Sequence, residues 1–131
     1  MRFLLDTNAV IALLNDPHGT VAQHARQMKP ADIGLSAIVS HELYFGAFKS
    51  VHQERNLALV DGLQFEVLPF DQDDARHAGE IRAALAGSGT PIGPYDVLIA
   101  GQARSRGLVL VSRNLREFRR VPDLHVENWE S

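Results

Sequence analysis

Three carboxylates in this 131-residue sequence stand where carboxylates are expensive. Asp6 closes the apolar run Phe3-Leu4-Leu5 in MRFLLDTNAVIALL. Glu42 lies inside AIVSHELYFGAF, a helical pattern otherwise suited to burial. Asp96 sits in PIGPYDVLIAGQA, among Ile92, Val97, Leu98, Ile99 and Ala100. An acid beside so much apolar surface is tolerated when it is paired, hydrogen-bonded or bound to a metal. An arginine partner would account for one such residue. Three, in separate units of the chain, are what a divalent-metal site for phosphoryl transfer requires. Mg²⁺ and Mn²⁺ are hard cations that take carboxylate oxygens and keep several waters. Bound at a phosphodiester, such a cation stabilises charge and lowers the pKa of an attacking water. Converging carboxylates repel one another until a cation relieves them. Asp6 also has a plainer reading, as the cap of the helix that follows it.

A further group of polar residues follows the strand-like LVLVS. Ser112, Asn114 and Glu117 lie just past it in LVSRNLREF, although Ser112 and Asn114 also suit the capping of a turn. The six histidines show no shared metal-ligand spacing, and His41 beside Glu42 reads as a helix-surface residue.

The elements that must hold these residues alternate along the chain. Phe3-Leu4-Leu5 reads as a strand buried on both faces, and DTN then caps a helix carrying Val10, Ile11, Leu13 and Leu14. Asp6 therefore falls at the carboxyl end of a strand, the edge where open α/β sheets bind ligands. HGTVAQHARQM, AIVSHELYFGAFKS, ERNLALVDGL, DQDDARHAGEIRAALAGSG and GPYDVLIAGQARSRG read as helices. DIGLS, FEVLPF, LVLVS and HVENW read as strands. Alternation of this kind predicts an α/β fold with a mainly parallel sheet.

Length predicts one domain spanning 1–131. The chain has no cysteine, which excludes disulfides and thiolate metal sites, and no apolar stretch approaching the ~20 residues of a membrane span. With no signal-peptide pattern at its start, a cytoplasmic location is expected. A net charge of −3 provides no global attraction to nucleic acid. The distribution says more: Arg104, Arg106, Arg113, Arg116, Arg119 and Arg120 crowd the C-terminal part. They read either as phosphate-gripping residues or as a solvated face.

LLDTNAVIALL, SAIVSHELYFGA, PIGPYDVLIAGQARSRGLVLVSRNLREFRRVP and VENW occur in the order and spacing of the PIN-domain ribonucleases. More narrowly, the chain resembles the VapC toxins of bacterial VapBC toxin–antitoxin systems, over essentially its whole length. The resemblance implies a three-layer α/β/α sandwich and a Mg²⁺- or Mn²⁺-dependent endoribonuclease. Its substrate class would be structured RNA such as a tRNA anticodon stem-loop. A VapB-type antitoxin would inhibit it, within a larger complex built on a toxin homodimer. By motif position Asp6, Glu42 and Asp96 match the family's acidic site. Asn114 stands where many members carry Asp, and Glu117 is the carboxylate placed to make up for it. The implied roles are metal ligation by Asp6 and Asp96, and ligation or water orientation by Glu42. Asn114 and Glu117 would shape the site, and Thr7 and Asn8 would hold the strand-to-helix turn. Tyr95, beside Asp96, would pack at the core or rim, with an RNA contact as the alternative. The apolar segments AVIALL and NLALV would offer a groove to a partner helix.

Two other readings compete. Haloacid-dehalogenase-like phosphatases also place Asp after the first strand, but follow it two residues later with a second Asp, where this chain has Asn8. They also need a lysine at the site, and neither Lys29 nor Lys49 follows a strand end convincingly. A non-catalytic RNA-binding module of the same fold has no use for Asp6, Glu42 and Asp96 together.

Overall fold

The computed structural model describes residues 1–130. Five strands form one sheet: β1 (Phe3–Leu5), β2 (Ile33–Ser36), β3 (Glu66–Leu68), β4 (Val109–Val111) and β5 (Val126–Glu127). Their order is β3-β2-β1-β4-β5, and every neighbouring pair is parallel. The helices are α1 (Thr7–Asn15), α2 (Thr20–Arg26), α3 (Ala37–Lys49), α4 (Gln53–Asp61), α5 (Gln72–Gly87), α6 (Pro94–Ser105) and α7 (Leu115–Phe118). The strands and α1 to α6 fall where the apolar patterns place them. The four-residue α7 and a 3-10 turn at Pro30–Asp32 are too short to produce a periodic signal.

The order of the strands decides where ligands can bind. The chain steps from β1 outward to β2 and β3, then returns to the other side of β1 with β4. Right-handed crossovers therefore put α1 to α4 on one face and α5 and α6 on the other. Packing agrees: α1 meets α2 and α3, α3 meets α4, and α5 lies along α6. Between β1 and β4 the sheet has its switch point, where diverging connections leave a crevice at the carboxyl ends. Leu5 is registered with Leu35 of β2 and Val111 of β4, so Asp6, Ser36 and Ser112 come next in line on that edge. All three are buried.

The core is the sheet's own apolar run, with Leu4, Leu5, Leu35 and Leu110 each at 1% exposure or less. Trp129 closes one side, edge-on to Phe3 at 5.2 Å and stacked on His24 at 5.4 Å. Gly101 lets α6 lie against α5, since a Cβ there would stand 2.6 Å from the Ala78 backbone nitrogen. No helix among the described residues is long and apolar enough to cross a membrane.

Two expectations need correction. The α3 pattern reads as suited to burial, yet only the stripe Val39, Leu43 and Ala47 is buried, while Phe45 and Phe48 stay 61% and 58% exposed. A helix in an outer layer covers only one stripe, however apolar its other side. Arg104 and Arg106 do not join a phosphate-facing cluster either. They end α6, about 18 Å along the helix from its start, and clasp α5. Arg104 donates to Glu80 at 2.6 Å and to His77 Nδ1 at 2.9 Å. Arg106 pairs with buried Asp74 at 3.0 Å and donates to the Pro69 carbonyl at 2.8 Å. Asp74 also accepts from Ser105 and Gln102 and completes a capping box with Asp71. That surrounding holds the Asp74 carboxyl below its ordinary range: burial pushes it up, and the Arg106, Asp71 and Ser105 bonds outweigh that push.

Candidate active site

Asp6 is the helix cap that its sequence suggests, and it stands at the carboxyl end of β1. Its backbone N–H extends the β1–β4 pairing by donating to the Val111 carbonyl at 3.0 Å. Its Oδ1 accepts the Ala9 N–H at 2.8 Å and so caps α1. The Ala9 N–H engages Oδ1, and Ser112 also hydrogen-bonds the carboxylate. The side chain belongs to a residue only 4% exposed. Burial pushes its pKa up; hydrogen bonds from Ser112 and the Ala9 N–H pull it down, Glu130 raises it and Arg113 lowers it. Burial outweighs these donors, so the Asp6 carboxyl lies above its ordinary range.

Glu42 reaches the same place from α3. Its Oε1 accepts the Thr7 hydroxyl at 2.9 Å, so the residue after Asp6 anchors an acid from the next α/β unit. The sequence reading assigns Thr7 only to the turn; its partner is visible only in three dimensions.

Asp96 enters from the opposite layer, in the first turn of α6, behind Pro94 and the N-cap Gly93. Its carboxylate folds back over that glycine: a Cβ at Gly93 would stand 3.1 Å from Asp96 Oδ2. The pKa of Asp96 is pushed up to about 6, first by burial and then by Asp6, Glu117 and Glu42 in that order. Three acids from the end of β1, from α7 and from α3 therefore crowd the carboxylate of α6.

Glu117, half-buried on α7 beside the buried Phe118, belongs to this group through its charge on Asp96. Asn114 is at the N-cap position of α7, but its side chain does not cap the helix. It is tied to the site through its backbone, whose N–H donates to Ser112 Oγ at 3.0 Å. Sequence reasoning missed two residues. Gly93 makes room for Asp96, and a Gly-Pro helix start three residues before an acid is a signal for it. Glu130 stands against Asp6, with a buried Oε2 that makes no hydrogen bond among the described residues and lies 3.9 Å from Arg113 Nε. It follows the last strand, and nothing in its local sequence directs it inward.

The donor set suits a hard divalent cation. Every acid is an oxygen donor, and among the described residues Arg113 is the cation that acts on Asp6, from a side chain 62% exposed. Among the described residues, no three carboxylate or imidazole side chains are drawn together tightly enough to form a finished metal cage. Closing like charges further costs energy until a cation compensates them. Above this edge two rings meet across the layers: His41 and Tyr95, with centroids 5.2 Å apart and planes tilted by 55°.

Comparison with known proteins agrees with this geometry. The family profile described as "PIN domain" matches residues 3–124. The tRNA(fMet)-specific endonuclease VapC of Salmonella typhimurium is 47% identical over 135 residues, which cover 98% of each chain. The crystal structure of DNA-bound VapBC from Salmonella typhimurium superposes with a TM-score of 0.93 at 45% identity, covering 98% of both chains. That of VapBC2 from Rickettsia felis, bound to a promoter DNA fragment, gives 0.91 at 31% identity over 98% of this chain and 99% of that one.

Proposed function

The chain belongs to the PIN-domain family, among its VapC ribonucleases, and on that footing we propose that it is a metal-dependent endoribonuclease acting on tRNA. The observation that carries this reading is the meeting of Asp6, Glu42, Asp96 and Glu117 at the switch point of a parallel sheet. PIN-domain nucleases generally use divalent metal ions; here Mg²⁺ is the cation proposed, with Mn²⁺ as its substitute. When bound, such a cation neutralises charge at the scissile phosphate and acidifies an attacking water. Asp6 and Asp96 are the residues that would hold it. Thr7 fixes one oxygen of Glu42, leaving the other to complete the ligand set or to orient the water. Glu117 and Asn114 shape the wall formed by α7. Arg113, exposed beside Asp6, is the cation placed to meet an RNA phosphate.

The same relatives support a partner. Both solved neighbours are VapBC assemblies, and a VapB-type antitoxin is proposed for this chain. The AVIALL and NLALV segments come together as one groove of about 170 Å³, where Ile11 and Leu14 of α1 face Leu59 and Val60 of α4 across Leu43. Glu42 also lines it, so an occupant would lie directly against a site acid. A cytoplasmic location is proposed with that substrate and partner. The phosphatase reading finds no lysine here: Lys29 and Lys49 are both exposed, and Lys49 lies over the Phe45 ring at 5.1 Å.

The test is cleavage of total tRNA in Mg²⁺, in Mn²⁺ and in EDTA, by wild type, Asp6→Ala and Asp96→Asn. Cleavage by wild type with metal alone, and none by either variant, is expected. Full cleavage in EDTA or by Asp6→Ala overturns the reading.

A further inference from the structure

We propose that Tyr95 and His41 form a stacking platform for an RNA base next to the scissile phosphate. This deepens the endoribonuclease reading and rests on it. Each ring directly precedes a site acid in sequence: His41 precedes Glu42, and Tyr95 precedes Asp96. The two come from opposite layers, on α3 and α6, yet their centroids meet at 5.2 Å. A pair assembled only for packing would be covered. Tyr95 is 45% exposed, and His41 is exposed as well.

An RNA nuclease with exposed rings beside its acids has an obvious ligand for them. Every base has a flat apolar face, and single-stranded or looped RNA is recognised by stacking such bases on Tyr, His, Phe or Trp. The 55° tilt between the rings decides the geometry. A base lying flat on Tyr95 meets His41 at that same tilt, away from the face-to-face sandwich that aromatic quadrupoles disfavour. The groove of about 740 Å³ on the α5 side of Tyr95 is lined by neither His41 nor a site acid, so the platform is the exposed ring pair itself. Tyr95 and His41 are thus positioning residues: they hold the nucleotide so that its phosphate lies over Asp6 and Asp96.

The experiment compares wild type, Asp6→Ala, Tyr95→Ala, Tyr95→Phe and His41→Ala on an initiator tRNA transcript. Loss of base stacking should raise KM for Tyr95→Ala by about tenfold to a hundredfold, with a smaller change in kcat. Tyr95→Phe should behave like wild type, because the ring and not the hydroxyl stacks, and melting temperatures should report all variants folded. A second arm uses transcripts carrying photoreactive 5-iodouridine in the anticodon loop, with the adduct expected on Tyr95 or His41. Unchanged KM for Tyr95→Ala, equal damage by Tyr95→Phe, or adducts elsewhere overturns the platform while leaving the nuclease reading intact. Failure of wild type to cleave any RNA overturns both.

Discussion

Thr7 and Glu42 are 35 residues apart in the chain and joined at 2.9 Å, hydroxyl to carboxylate. The bond fixes an acid of α3 to the strand-to-helix turn that presents Asp6. Thr7→Val keeps the shape and removes the donor. A hydrogen bond to a charged group is worth roughly 1.5–3 kcal/mol, and at this half-buried site the lower end applies. Single-turnover cleavage is expected to fall about tenfold, with Thr7→Ser close to wild type. An unchanged rate for Thr7→Val would show that Glu42 needs no anchor.

Asp96 makes the metal-free protein sensitive to pH. Its folded-state pKa is about 6 against an ordinary 3.8, so the fold favours its protonated form. The associated stability is fully present below pH 3.8 and is lost as pH rises through about 6. Asp96 is half-buried, and solvent screening reduces the effect to about 1 kcal/mol. Asp96→Asn should therefore melt higher than wild type in EDTA at pH 8, and the gap should close by pH 4. A gap independent of pH would contradict this. Cleavage should lose activity below about pH 6, and raising the metal concentration should move that limb to lower pH, because cation and proton compete for one carboxylate.

Asn114 and Glu117 are expected to tune metal affinity. Asn114→Asp adds a negative charge beside Ser112 and should tighten Mg²⁺ binding; Glu117→Gln removes one that acts on Asp96 and should weaken it. A severalfold shift in opposite directions in a Mg²⁺ titration of cleavage rate is the expected result, with activity retained at saturation. Identical titration of Glu117→Gln and wild type would assign Glu117 to the surface.

Arg106 is expected to matter for stability and not for cleavage. Arg106→Met leaves the Asp74 carboxylate, whose side chain is 1% exposed, without its cation. Breaking a pair of this kind costs about 3 kcal/mol, which urea denaturation will read. The cleavage rate of the folded variant should match wild type, because the clasp lies at the far end of α6. Arg113→Ala should do the reverse: little change in stability, weaker RNA binding.

Local sequence is sufficient for the elements, and it marks the acids as candidates. Three apolar residues before Asp6, the Pro94 start of α6 and the acids leading α5 are signals written within a turn or two of the chain, and the structure follows them. Asp6, Glu42 and Asp96 stood out because each is costly in its own neighbourhood, a property that needs no partner to be recognised. Partnership required the tertiary structure. Which oxygen of Glu42 Thr7 holds, that Gly93 leaves room for Asp96, that Glu130 stands against Asp6, and that six clustered arginines divide between an α5–α6 clasp and an exposed rim all depend on strand order. The return of β4 to the far side of β1 brings α6 and α7 to the edge already occupied by α1 and α3. Contacts between residues tens of positions apart are set by that crossover, and no periodicity in a one-dimensional chain encodes it.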